Sequence, residues 1–153
     1  MSESVSLTAN YRKMTEADVQ AIAILESEIF PDAWTSQGIY ETFCQKQALV
    51  TVAEVEGEIA GYCIIYYVMD EGEIARIAVG SKFRRQRIGR GLLDYTCENC
   101  KERQVERLLL DVRESNMGAR TFYKSYGFAE DGIRKNFYEQ PKEHAVLMSK
   151  MLG

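Results

Sequence analysis

The sequence predicts an α+β fold: a mixed α/β architecture whose central, mostly antiparallel sheet of about seven strands is flanked by about four helices. Three observations lead there. The chain has 153 residues, and at that size roughly 68–70% of the unfolded surface is buried on folding, so no staples are needed. Hydrophobic patterning switches between period 2 and period 3.6 in the order β-α-α-β-β-β-α-β-α-β-β. Strands and helices alternate only in the middle of that order, which puts one parallel crossover inside an otherwise antiparallel sheet.

Each element has a local reason. Val5 to Lys13 alternates weakly and is expected as a first strand. Thr15 is the expected N-cap of a helix over Glu16 to Phe30, with Glu16 and Asp18 in its first turn and Val19, Ile22, Leu25 and Ile29 at helical spacing. Pro31 ends that helix. Asp32 to Thr35 is a turn, and Thr35 or Ser36 caps a short helix to Gln45. Ala48 to Val55 and the apolar stretch Glu58 to Met69 are strands joined by Glu56-Gly57, a tight hairpin signal. Asp70 to Gly72 turns the chain into a strand over Glu73 to Val79. A polar, basic loop then leads to a helix over Leu92 to Arg103 and a strand over Val105 to Arg113. Ser115 or Asn116 caps a helix to Tyr126, stopped by Gly127. Phe128 to Tyr138 and Glu143 to Met151 form a closing antiparallel pair. There is no repeat, linker or low-complexity stretch, so residues 1–153 read as one domain.

Composition excludes several classes. With 23 acidic and 19 basic residues the formal charge is −4, which argues against a dedicated nucleic-acid binder. No apolar run approaches the ~20 residues that span a bilayer, so no membrane partner is expected. The opening MSESVSLTANYRK has no charged-then-apolar pattern. Four cysteines are too few for a disulfide framework. The expected location is the cytoplasm, with free thiols. Cys97-x-x-Cys100 lies inside a predicted helix, with no second pair and a single histidine in the chain. A structural zinc needs four ligands, so no metal is expected. Cys44 and Cys63 are expected in the core, and His144 at the surface or lining a groove.

The most informative segment runs from Ile77-Ala78-Val79 through GSKF to Arg84-Arg85-Gln86-Arg87-Ile88-Gly89-Arg90-Gly91. A strand runs out, a glycine-containing loop turns, and a helix begins. Unpaired N–H groups and the partial positive charge of a helix start bind phosphate. Lys82 and four arginines add positive charge to an acidic protein. No Lys-Ser/Thr follows the second glycine, so this is not a Walker-type loop. Asp94 stands where a dinucleotide motif needs its third glycine. From the residues alone, the segment is either a solvated basic turn or a phosphate cradle.

Gln86-x-x-Gly89-x-Gly91 after a strand ending Ile-Ala-Val resembles the acetyl-CoA motif of the GNAT acyltransferases, whose fold has the same element order. Four further stretches resemble the RimI-type branch, which acetylates the N-terminal alanine of a small-subunit ribosomal protein: FPDAWT (30–35), MDEGEIARIAV (69–79), LLLDVRESNMGARTFYKSYGF (108–128) and IRKNFY (133–138). The resemblance implies that Ile77, Ala78 and Val79 meet the pantetheine through their backbone. It implies that Arg85, Gln86, Arg87, Ile88, Gly89 and Arg90 wrap the pyrophosphate, and that Asn116 contacts the cosubstrate. Tyr123 occupies the position of the general acid, Asp111 that of the general base, and Tyr138 that of a hairpin residue covering the peptide groove. Two departures stand out: the family usually has Glu where this chain has Asp111, and often Gly where it has Arg87. The implied cosubstrate is acetyl-CoA, the implied partner a protein N-terminus on a ribosomal protein, and the expected state a monomer.

Read as residues, these positions keep their alternatives. Leu109, Asp111 and Arg113 share one strand face, so Asp111 either pairs with Arg113 or another arginine, or faces a cleft. Tyr123 follows Asn116 by two helical turns and is either a core aromatic or a group poised in a site. Trp34 walls the peptide groove or plugs the end of the core. The activity class has rivals too: transfer to another protein N-terminus, a lysine or a polyamine, or a non-catalytic acyl-CoA-binding module.

Overall fold

Among the described residues, 8–153 of the computed structural model, seven strands and four α-helices form. The strands are β1 (Asn10–Lys13), β2 (Ala48–Val55), β3 (Glu58–Val68), β4 (Glu71–Val79), β5 (Arg107–Arg113), β6 (Ala129–Glu139) and β7 (Lys142–Met151). The helices are α1 (Val19–Ile29), α2 (Ser36–Phe43), α3 (Ile88–Glu102) and α4 (Met117–Tyr126). The start of the first expected strand, Val5 to Leu7, lies outside the described residues. One sheet runs in the order β1-β2-β3-β4-β5-β7-β6. Every neighbouring pair is antiparallel except β4 with β5.

Local chemistry sets the boundaries. Glu56 and Gly57 both take positive φ, 51° and 80°, as a two-residue hairpin turn requires. Thr35 caps α2 by accepting the Gly38 N–H at 3.0 Å. Asn116 caps α4 by accepting the Ala119 N–H at 3.1 Å, and Gly127 ends it at φ 109°. Phe30, ahead of Pro31, is extended and closes α1. Two helix starts differ from expectation. Glu16–Asp18 forms a 3-10 turn before α1. Helix α3 begins at Ile88, four residues ahead of the expected Leu92, because the low helix propensity of Gly89 and Gly91 masks that first turn.

Period-2 alternation places successive strand residues on opposite faces. Val50, Val52, Tyr62 and Ile64 pack with Val19 and Ile22 of α1 and Ile39 of α2. Leu49, Ala53, Cys63 and Ile65 pack on the other face with Leu92 and Leu93 of α3 and Tyr123 of α4. Cys63 is wholly buried as expected, but Cys44 is exposed. It sits just past the last turn of α2, where no layer covers it.

The parallel crossover is shorter than the sequence implies. β4 and β5 pair only at Glu71 with Arg107, Gly72 with Leu108 and Glu73 with Leu109. Directly after that point β4 bulges against β3: Ile74 faces Ile65, Arg76 faces Ile64, and Ala75 is the extra residue. A bulge bends its strand. β4 then runs on to Val79 and β5 to Arg113 without pairing to each other, which leaves an open gap in the middle of the sheet.

Candidate active site

The basic loop lies where β4 ends and α3 begins. A cavity of about 380 Å³ is lined there by Val79, Phe83, Arg84, Arg85, Arg87, Ile88, Gly89, Arg90 and Phe122. Arg85 and Arg87 both take left-handed φ, 65° and 64°, at about 1–2 kcal/mol each for a residue with a Cβ. Alternating left-handed residues turn successive N–H groups toward one concavity, an arrangement that binds anions. Arg87 is also the residue flanking the start of α3, so the orphan N–H groups of that first turn add to it. Arg85 and Arg87 make no ion pair among the described residues, whereas Lys82 pairs with Glu58 at 2.9 Å and Arg90 stacks 5.3 Å from the Tyr126 ring. A Cβ at Gly89 would stand in ordinary contact with Phe122, whereas one at Gly91 would collide with the Tyr11 phenol. Gly91 is therefore required by β1 packing rather than by the approach of an anion.

The gap between β4 and β5 gathers the other expected residues. Ile77, Ala78 and Val79 form the β4 side, past the last paired residue. Asp111 is half-buried on β5, on the face it shares with Leu109 and Arg113. It makes no ion pair among the described residues, because Arg113 is engaged by Glu143 at 3.3 Å and by the carbonyls of Pro141 and Gln140. Tyr138 is half-buried with its ring 4.3 Å from the Arg113 guanidinium. Burial and then the Asp111 charge push its phenol pKa up. Tyr123 is buried, packed edge-on against Phe122 and Phe128. Its hydroxyl has no partner among the described residues, none of which has a buried side-chain oxygen left unpaired, so that hydroxyl opens to solvent. Burial foremost, then Cys63 and Tyr138, push its pKa well above the ordinary phenol value. Asn116 spends its side-chain oxygen on the α4 cap. Gln86 does not line the cavity.

A basic concavity thus lies beside the edge of β4 that β5 leaves unpaired, with the buried Tyr123 next to the cavity-lining Phe122. A model described as the acetyltransferase (GNAT) family matches residues 19–128. The chain belongs to the GNAT acetyltransferase family. A Bacillus subtilis (strain 168) protein provisionally named ribosomal protein bS18-alanine N-acetyltransferase is 37% identical over 141 residues, covering 92% of this chain and 93% of that protein. The Escherichia coli (strain K12) protein named ribosomal protein bS18-alanine N-acetyltransferase is 38% identical over 95 residues, 61% of this chain and 64% of that one. The crystal structure of the ribosomal-protein-S18-alanine N-acetyltransferase from Escherichia coli superposes with a TM-score of 0.87 at 28% identity, covering 95% of both chains.

This GNAT acetyltransferase also carries a charged cluster that the sequence reading passed over. Glu26 of α1 is 1% exposed. It accepts from the Tyr62 hydroxyl at 2.5 Å, from Arg76 Nε at 2.9 Å and from the Trp34 backbone N–H at 3.1 Å. The Arg76 guanidinium lies 4.0 Å from the Phe30 ring and 5.3 Å from the Trp34 ring. Trp34 thus packs against the core and against Arg76 at once. One signal was available: Glu26 falls seven residues after Val19 and four after Ile22, on the apolar stripe of α1, where an acid needs a partner. Phe122, which walls the cavity, had no such signal.

Proposed function

We propose that this GNAT acetyltransferase moves the acetyl group of acetyl-CoA onto the α-amine of a protein N-terminus, with the N-terminal alanine of a small-subunit ribosomal protein as acceptor. The observation that carries the reading is the end of β4, where its edge toward β5 is left unpaired, bounded by the basic, N–H-rich start of α3. The choice of acceptor is supported by the names of the relatives and by the likeness to the Escherichia coli enzyme over nearly the whole chain. The enzyme acts as a cytoplasmic monomer on a protein substrate, without a metal and without binding nucleic acid directly.

When bound, acetyl-CoA supplies the acetyl thioester. Arg85 to Arg90 hold its pyrophosphate with backbone N–H groups and guanidinium charge. Ile77, Ala78 and Val79 hold the pantetheine through their backbone, and an N–H of that stretch polarises the thioester carbonyl. Asn116 adds a contact through its remaining amide nitrogen. Tyr138 and Trp34 border the acceptor groove. The amine attacks directly in a ternary complex. An α-amine has a pKa of about 7.7–8.0, so at pH ~7.4 its deprotonation costs well under 1 kcal/mol, against about 4 for a lysine. A weak base suffices, and Asp111 takes the proton through a water, one methylene being missing relative to Glu. Tyr123 keeps its proton and donates it toward the departing sulfur.

Thiol release from acetyl-CoA tests the reading with two peptides, one starting with a free alanine and one blocked at its N-terminus with an internal lysine. Release with the first alone is expected. Release with the second alone assigns another amine, and none with either assigns a non-catalytic acyl-CoA-binding module. The base has its own check. Asp111→Asn is expected to lower turnover about tenfold at pH 7, less than the roughly 10²–10⁴-fold typical of general acid–base catalysis, because an α-amine needs only a weak base. The deficit should shrink as rising pH deprotonates the amine, and a flat, unchanged pH–rate profile removes Asp111 from the mechanism.

A further inference from the structure

The connection between α1 and α2 has no regular structure of its own. Among the described residues, positions 31–34 make two backbone hydrogen bonds to the rest of the chain, and both end on one ion pair. The Trp34 N–H donates to Glu26 Oε2 at 3.1 Å. The Asp32 carbonyl accepts from Arg76 at 3.1 Å, and the same guanidinium reaches the Asp32 carboxylate at 3.3 Å. Glu26 and Arg76 hold each other at 2.9 Å. The pair is rooted in the sheet, since Arg76 stands on β4 and the wholly buried Tyr62 of β3 donates to the other Glu26 oxygen. The guanidinium also stacks on Phe30 and faces Trp34.

We infer that Glu26 and Arg76 are positioning residues for the acceptor: they clamp the segment 31–34 through its two backbone hydrogen bonds, at Asp32 and Trp34, and so set the groove that Trp34 and Tyr138 border. The inference rests on the acceptor-side placement of those two aromatics proposed above. Neither residue reaches toward the phosphate cavity, which has its own lining. The clamp accordingly bears on the acceptor and leaves the cosubstrate alone.

Two measurements on the full chain decide it. Hydrogen exchange on the unaltered protein is expected to show the Trp34 amide protected well beyond an open loop, and exchange at the open-loop rate overturns the clamp. This needs no variant, so it decides the matter even where a substitution prevents folding. In Arg76→Gln, emission from Trp34, the single tryptophan of the chain, should move to the red and become more open to acrylamide. The KM for an alanine-starting peptide should rise at least tenfold while calorimetric acetyl-CoA affinity stays within twofold. An unchanged peptide KM, or an equal loss of peptide and acetyl-CoA binding, overturns the inference. If the unaltered enzyme acetylates no peptide N-terminus, the acceptor class fails instead, and the Trp34 exchange still reports on the clamp.

Discussion

Two clusters of charge flank the end of β4, and they are built in opposite ways. The loop before α3 leaves Arg85 and Arg87 exposed, unpaired among the described residues and in strained backbone. The Glu26–Arg76 cluster buries its carboxylate, satisfies it with three donors and covers its cation with aromatic rings. The difference follows from what each must meet. An exposed cation costs little to leave without a partner in the protein, and a phosphate brings its own charge. A buried carboxylate has to be paired by the protein itself. In the proposed reading the first cluster binds an anion and the second holds a shape.

Substitutions sharpen that contrast. The largest effect is expected at the buried pair: Glu26→Ala should cost about 3–5 kcal/mol of stability, because it strands Arg76 without its partner. Urea unfolding measures it, and a loss below about 1 kcal/mol would put the pair in the same class as a surface contact. Next comes the buried phenol. Tyr123→Phe should lower turnover by about 10²-fold with acetyl-CoA affinity unchanged, at the low end for a general acid. Because burial raises the Tyr123 pKa, its protonated form persists above pH 10. The wild-type rate should therefore show no alkaline fall from this group between pH 7 and 10, and such a fall would point to another acid.

The cofactor side is expected to respond in the other currency. Arg85→Ala should leave stability within about 0.5 kcal/mol yet weaken CoA binding by about tenfold, the value of one charge-assisted contact. Raising ionic strength should weaken CoA binding and leave the peptide KM nearly constant. Calorimetry across a salt series checks both. The smallest effect is expected from Arg87→Gly. Glycine relieves the left-handed φ but gains unfolded-state entropy, so stability should change by no more than about 1 kcal/mol. A larger loss would mean that the side chain, and not its N–H, matters there.

How legible each region was follows from how far apart its parts lie. The basic loop is one stretch of chain, strand to loop to helix, and its charge and glycines could be read directly. Thr35, Asn116 and Gly127 act within a few positions of themselves, so their capping roles could be read directly. The left-handed angles at Arg85 and Arg87 could not be read from arginine, although a glycine in place of Arg87 would take that angle without strain. Glu26 meets Tyr62 across 36 positions and Arg76 across 50. Only the misplaced acid on the α1 stripe hinted at them. Of the two readings left open for Asp111, pairing with Arg113 is not the one found, because Glu143, from a strand 30 positions on, claims the arginine.

By itself, the order of residues determined seven strands, four helices, the caps at Thr35, Asn116 and Gly127 and the basic turn, since periodicity, capping and helix-start charge are all local. Tertiary structure alone decided where β4 leaves β5, which charges are buried in pairs and which stay free. Those outcomes depend on a bulge against a neighbouring strand and on partners that meet only when the two faces of the sheet are covered.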